Sequence, residues 1–127
     1  MYISRGNGLM SIEIDRVRIS ATGRQQLIQI KRRTHIEHFN IICRHALMMS
    51  LEEKSQPPVE NYNMTGGLEI DWKVFCGGET GLYYNILIMQ CLADGLEPTA
   101  ENVKNLLTIH LHRGLSYLNS NSQLIFS

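Results

Sequence analysis

The segment Ile36 to Leu51, IEHFNIICRHALMMSL, constrains the fold more than any other part of the chain. Its apolar residues Ile36, Phe39, Ile42, Cys43, Ala46 and Met49 recur every three or four positions, which is helical spacing. Ile41, Leu47, Met48 and Leu51 fall outside that stripe. Only Glu37, Asn40 and Arg44, with His38 and His45, give the segment a polar side. A helix apolar round most of its circumference needs cover on several sides. A chain of 127 residues supplies little of it, so the segment reads as a central core helix that can also enter a subunit interface.

The residues before it order themselves around that core. Ile12 and Ile14 alternate with Glu13 and Asp15, and Val17 and Ile19 alternate in the opposite phase. A period-2 strand cannot change phase without a bulge or break, so a break is expected near Asp15–Arg16. Met10 could serve as an alternative start. Arg16-Val17-Arg18-Ile19-Ser20 is then a short strand, its two arginines on one face at about 7 Å spacing, close to the separation of successive phosphates. Ser20 is an expected N-cap for a first helix, Ala21 to Arg33, with Leu27 and Ile30 inward and Arg24, Lys31 and Arg32 outward. Thr34 and Glu37 form a capping-box pattern that would start the central helix. Strand, short helix, turn and buried helix is the order of a ribbon-helix-helix unit, in which two chains pair their strands and outward strand residues enter the major groove.

Charge is distributed unevenly along a chain whose formal net charge is zero. From Arg16 to Arg44, seven basic residues (Arg16, Arg18, Arg24, Lys31, Arg32, Arg33, Arg44) face one acid, Glu37, a net of +6. Beyond Lys54, three basic residues face seven acids, a net of −4. Such polarity points to a local anionic partner. Lys31, Arg32 and Arg33 also suit the negative end of their own helix dipole, at about 0.3–1 kcal/mol each; Arg16, Arg18 and Arg24 have no such explanation.

The second half reads as a connector and two more helices. Pro57-Pro58 stops the central helix, and Gly66-Gly67 and Gly77-Gly78 bracket an alternating run, Leu68 to Phe75, expected to be extended with Trp72 covering one edge of the core. A third helix spans Thr80 to Asp94, ended by Gly95, with Thr80 as its cap. A fourth starts after Pro98-Thr99 and runs to about Leu118, with Thr99 as N-cap and Gly114 permitting close helix approach.

Little in the chain points to catalysis or to a metal. His110 and His112 form an HxH pair, but residues two apart on a helix point about 200° apart. The Gly77-Gly78-Glu79-Thr80-Gly81 turn lacks the pattern of a phosphate loop, and Glu79 would repel phosphate. No zincin motif and no nucleophile elbow occurs. Cys43, Cys76 and Cys91 are scattered and read as buried reduced thiols of a cytoplasmic protein. No apolar run approaches the ~18 residues of a membrane span, and the opening lacks the apolar core of a signal peptide.

Several stretches taken together resemble a known family. RVRIS (16–20), RRT (32–34), NIICRHALMMSLEE (40–53), GGLEIDWKVFCGGETGLYYNILIMQC (66–91), DGLEPT (94–99) and HLHRGL (110–115) resemble the DndE family of DNA phosphorothioation subunits. The resemblance implies a mainly α protein: a small four-helix domain over residues 16–118 with a short N-terminal strand, a ribbon-helix-helix-like opening and a long connector with a short extended segment. Residues 1–15 would be an extension and 119–127 a mobile tail. It also implies a homotetramer without cofactor. Such a protein would be a non-catalytic subunit working with other phosphorothioation proteins on DNA in which sulfur replaces a non-bridging phosphate oxygen. Affinity for nicked duplex would come from basic residues of the first helix, here Arg24, Lys31, Arg32 and Arg33, with Ile28 and Gln29 between them. Arg16 and Arg18 join this set of expected DNA contacts. Two rival expectations remain: a sequence-specific repressor whose Arg16 and Arg18 read base edges, and an adaptor whose basic face meets an acidic protein.

Overall fold

Ser20 decides where the first strand gives way to the first helix. The computed structural model describes residues 12–120. Strand β1 spans Arg16–Ile19 and helix α1 spans Ala21–Thr34. Between them the Ser20 hydroxyl accepts a hydrogen bond from the Gly23 N–H at 3.0 Å, satisfying one of the free donors of the first turn. Val17 and Ile19 are buried while Arg16 and Arg18 are exposed, the alternation that a pleated strand imposes. Residues 12–15 carry no regular structure, so the break expected at Asp15–Arg16 is where β1 begins. The alternative start at Met10 lies outside the described residues.

The strand's partner comes from its own chain. Strand β2, Leu68–Asp71, pairs antiparallel with β1, setting Arg16 opposite Asp71 and Arg18 opposite Glu69. The connector lies along β1 to make this possible. Ala21 N–H donates to the Asn63 carbonyl at 2.9 Å, and Trp72 N–H to the Asp15 carbonyl at 2.9 Å. Gly67 lies so close that an added Cβ would stand 1.8 Å from the Ile19 carbonyl oxygen. The order strand–helix–helix is as expected, but the described pairing of β1 is within one chain. The extended run expected to reach Phe75 stops at Asp71. There the Asp71 carboxylate accepts from Lys73 N–H at 3.1 Å and caps a single helical turn, α3 (Trp72–Phe75). That turn buries Trp72 and Phe75, whose rings stack with centroids 5.7 Å apart.

Helix α2 spans Phe39–Glu52 and starts three residues later than the sequence implies. His35 closes α1 in the left-handed conformation at φ 62°. Thr34 then turns its hydroxyl back to the Ile30 carbonyl at 2.8 Å and accepts from Ile36 N–H at 3.3 Å. With its oxygen engaged in that turn, Thr34 does not cap α2. His38 occupies the cap position without a side-chain bond, so the Thr34–Glu37 capping box is not formed.

Helix α4 spans Thr80–Ala93 and α5 spans Ala100–Ser120. Thr99 caps α5 as expected, accepting from Asn102 N–H at 3.1 Å; Thr80 does not cap α4, whose cap residue is Glu79. Asn119 and Ser120, expected in a mobile tail, are the last residues of α5, and the rest of that tail lies outside the described residues. The centre of the packing is shared. α2 lies along α5 as the main helix–helix contact, and α1, α4 and β1 also pack on α5. Gly114 sets the α2–α5 separation: a Cβ there would stand 1.8 Å from the Ala46 carbonyl oxygen.

The core contains polar groups: the Trp72 indole N–H has no hydrogen-bond partner among the described residues, whereas those along α5 are bonded. Arg113 Nε donates to the Ser50 hydroxyl at 2.8 Å, and that hydroxyl is hydrogen-bonded to His110 Nδ1 at 2.8 Å. On the opposite side of α5, His112 Nε2 accepts from Ser20 N–H at 3.0 Å, and its Nδ1–H donates to the Thr108 carbonyl at 2.8 Å. The two histidines of the HxH pair thus face different neighbours.

Burial, reinforced by the Arg113 charge and partly offset by Asp94, lowers the His110 pKa from 6.5 to about 4. Burial also lowers that of His112, with the Thr108 bond and Glu60 acting in the opposite sense. Below its ordinary pKa each imidazole takes up a proton in the unfolded chain before it does so in the folded one. Their contribution to stability is complete above about pH 6.5 and is lost as pH falls towards 4. For His110 alone a shift from 6.5 to about 4 amounts to about 3 kcal/mol. Urea unfolding at pH 7.5 and at pH 4.5 should show this loss, and His110→Gln should flatten the dependence.

Candidate nucleic-acid interface

Two basic groups of different character lie on the N-terminal third of the protein. The first is on the β1–β2 ribbon. Arg16 and Arg18 share one acid, Glu69, whose carboxylate lies 3.8 Å from Arg16 NH1 and 3.5 Å from Arg18 Nε. Their side chains are 62% and 61% exposed, so these contacts contribute little to stability. Their main effect is electrostatic: one carboxylate offsets one of the two guanidinium charges. Asp71, the other acid across the ribbon, is engaged as the α3 cap.

The second group is on α1. Arg24 and Lys31 are seven residues apart and so share a face, with Arg32 one turn-edge away. All three are exposed. Arg24 and Arg32 make no hydrogen bond or ion pair among the described residues, and the Lys31 ammonium lies 5.4 Å from the centroid of the Phe39 ring. Half-buried Ile28 lies on the same face. The C-terminal end of this face opens into a shallow hollow lined by Ile28, Lys31, Arg32, His35 and Glu37, where Glu37 is the one carboxylate.

Arg33 does not belong to this face. Its guanidinium reaches the C-terminus of α5, donating to the Asn119 carbonyl at 2.9 Å, the Leu118 carbonyl at 3.2 Å and Asn119 Oδ1 at 3.3 Å. Gln29 accepts from Asn119 Nδ2 at 2.8 Å beside it. Both residues fasten α1 to the negative end of α5. Arg44, counted in the basic segment, is likewise engaged. It donates to the Phe75 carbonyl at 2.8 Å and to the Val74 carbonyl at 3.4 Å, closing the end of α3. Of the six expected contact residues, Arg24, Lys31 and Arg32 form one exposed face, Arg16 and Arg18 form another around Glu69, and Arg33 is a structural tie.

The remaining chemistry is quiet at neutral pH. Burial pushes the Cys43 and Cys76 thiols up to about 12, so both are protonated and poorly nucleophilic. Among the described residues no group of three or more His, Cys, Asp and Glu side chains is arranged to hold a metal ion. No described helix is long and apolar enough to cross a membrane. One feature was hidden from the sequence. Arg113, inside an apolar helix pattern, is buried and lines a hollow between α1, the connector and α5; an arginine among leucines at core spacing was the available signal.

No curated protein sequence matches this chain. The crystal structure of DndE from Escherichia coli B7A, involved in DNA phosphorothioation modification, shares its fold with a TM-score of 0.63. The two are 24% identical over 85% of this chain and 99% of that one. The sequence model described as "DNA sulphur modification protein DndE" matches residues 16–125, from the first residue of β1 onward. With most of its length matched in this way, the chain belongs to the DndE family of DNA sulphur modification proteins.

Proposed function

We propose that this protein serves DNA sulphur modification as a non-catalytic subunit that grips the phosphate backbone of duplex DNA, with nicked duplex as the preferred form. The observation that carries the reading is the α1 face: Arg24, Lys31 and Arg32 exposed together, none ion-paired among the described residues. Cations displayed in this way bind phosphates without reading sequence. Arg16 and Arg18 add a second, weaker contact because Glu69 offsets part of their charge.

The same reading takes the protein as a homo-oligomer, a tetramer on the family pattern, associated with other modification proteins. In support, α4 turns apolar side chains outward. Leu82, Met89 and Leu92 are 52%, 66% and 45% exposed and lie on one side of the helix, and Leu96 follows just beyond its end at 42%. Met48 of α2 and Val74 of α3 are also exposed. Joining copies through such faces would multiply the basic patches presented to one duplex, so that a modest charge per chain yields firm binding.

Fluorescence anisotropy with intact and nicked duplex of one sequence, titrated over a range of salt, tests the proposal; light scattering gives the number of chains. Equal affinity for nicked and intact duplex would remove the preference for nicks. Binding that withstands excess scrambled competitor would favour a base-reading repressor. No binding at low salt would leave the adaptor role. Glu69→Gln should tighten duplex binding by about fivefold at low salt, since a surface charge a few ångströms from a phosphate is worth about 1 kcal/mol. An unchanged affinity would exclude Arg16 and Arg18 from the contact.

A further inference from the structure

A cavity of about 560 Å³ opens between the start of α1, the connector around Tyr62 and the last turns of α5. Its size falls within the ~300–1,000 Å³ span of small-molecule sites. Thr22 and Gln26 of α1, Asn61 and Asn63 of the connector and Ser116 of α5 supply polar groups to its lining. Arg113 forms part of the wall and is 9% exposed.

The state of Arg113 makes this hollow more than a surface crevice. Its guanidinium makes three hydrogen bonds, all to uncharged oxygens: the Ser50 hydroxyl at 2.8 Å, the Ser50 carbonyl at 2.8 Å and the Ser55 hydroxyl at 3.2 Å. Five N–H donors are available on a guanidinium, so two remain. No carboxylate among the described residues forms an ion pair with it. A buried cation without a counter-charge is unfavourable, and an anion entering the cavity would relieve it. The neighbouring wall residue His112 stacks on Tyr62 with ring centroids 4.2 Å apart and is neutral, so it supplies no negative charge.

We propose that this cavity binds a small ligand carrying a single phosphate, of mononucleotide size, with Arg113 as its counter-charge. One cation inside, and the carboxylate of Glu60 also in the lining, match one phosphate and disfavour a di- or triphosphate. The volume exceeds what a bare oxyanion needs, and the amides and hydroxyls of Gln26, Asn61 and Ser116 suit a sugar or base. The phosphate can come from a free nucleotide or from the phosphorylated end of a DNA strand. The site does not rest on backbone binding by α1, because Gln26 lies about 200° round that helix from Arg24.

The test uses the full chain and isothermal titration calorimetry. Deoxyadenosine 5′-monophosphate should bind with a Kd of about 1 mM or tighter, and deoxyadenosine should not. Ser116→Trp, at an exposed position, should weaken binding at least about tenfold while the circular dichroism stays unchanged. Glu60→Gln should tighten it by about fivefold. The combined Arg24→Gln, Lys31→Gln and Arg32→Gln variant should bind the nucleotide like the wild type, whatever happens to its affinity for duplex. A 5′-phosphorylated trinucleotide that outcompetes the mononucleotide would identify the source as a strand end, and the reverse order a free nucleotide. The proposal is overturned by absence of binding at roughly 10 mM ligand, by equal binding of deoxyadenosine, by undiminished binding in Ser116→Trp, or by no gain in Glu60→Gln.

Discussion

Replacing Arg24, Lys31 and Arg32 together with glutamate is expected to lower duplex affinity about 100-fold or more at low salt and to flatten its salt dependence. Each phosphate contact contributes about 0.9 to the slope of log affinity against log salt. Removing three contacts should therefore reduce that slope by about three units for every copy that touches the duplex. All three side chains are exposed, so the fold should survive. Lys31 and Arg32 are in the last turn of α1, and reversing them there costs about 1 kcal/mol each through the helix dipole. A melting curve recorded beside the titration separates that loss from a loss of binding. Arg33→Glu should behave differently. It breaks the tie to Leu118 and Asn119 and should lower stability more than it changes the slope. If the triple variant keeps the wild-type slope, α1 is not the DNA-binding face.

Gly114→Ala should destabilise the protein severely, although the substitution is favourable for a helix considered alone. Alanine in a helix interior gains about 1 kcal/mol over glycine. Here the added methyl would lie 1.8 Å from the Ala46 carbonyl oxygen and 2.4 Å from its carbon. Those are backbone atoms of α2 and cannot rotate aside, so α2 and α5 must separate along their main contact. Overpacking of this kind costs about 1–3 kcal/mol and occasionally more, and backbone against backbone belongs at the upper end. A net loss of about 3 kcal/mol is a large part of the ~5–15 kcal/mol that holds a domain folded. Gly81→Ala is the control. Nothing lies within 4 Å of a Cβ there, so that variant should be as stable as the wild type or slightly more. Urea unfolding of the two variants gives the comparison directly.

The helices were legible because their signals are local. Ser20 and Thr99 cap where their residue types say they should, and Val17 and Ile19 are buried by simple alternation. Gly114 could be picked out as a contact glycine because it stands within an apolar stripe. What local pattern could not reveal was competition between partners. Thr34 had two uses for one oxygen, and the α1 turn took it before α2 could. Asp71 could have continued a strand, but a free N–H at Lys73 drew it into a cap. The candidate site was read with similar limits. Sequence charge placed Arg33 among the expected DNA contacts and counted Arg44 in the basic segment, yet both are bound to carbonyls at helix ends some 30 to 86 residues away. Glu69 lies some fifty residues beyond the arginines it offsets, and only the long-range pairing of β1 with β2 brings it there.

The packing of α1, α2, α4 and β1 on α5 also bears on how the molecule is made. The element that covers all of these follows them in order of translation. While a ribosome is still producing the residues before Ala100, the faces later hidden by Leu107, Leu111 and Leu115 remain open to solvent. Apolar surface left open in that interval favours association with other chains, and a product truncated before Ala100 is expected to aggregate rather than fold, which its sedimentation after expression would show.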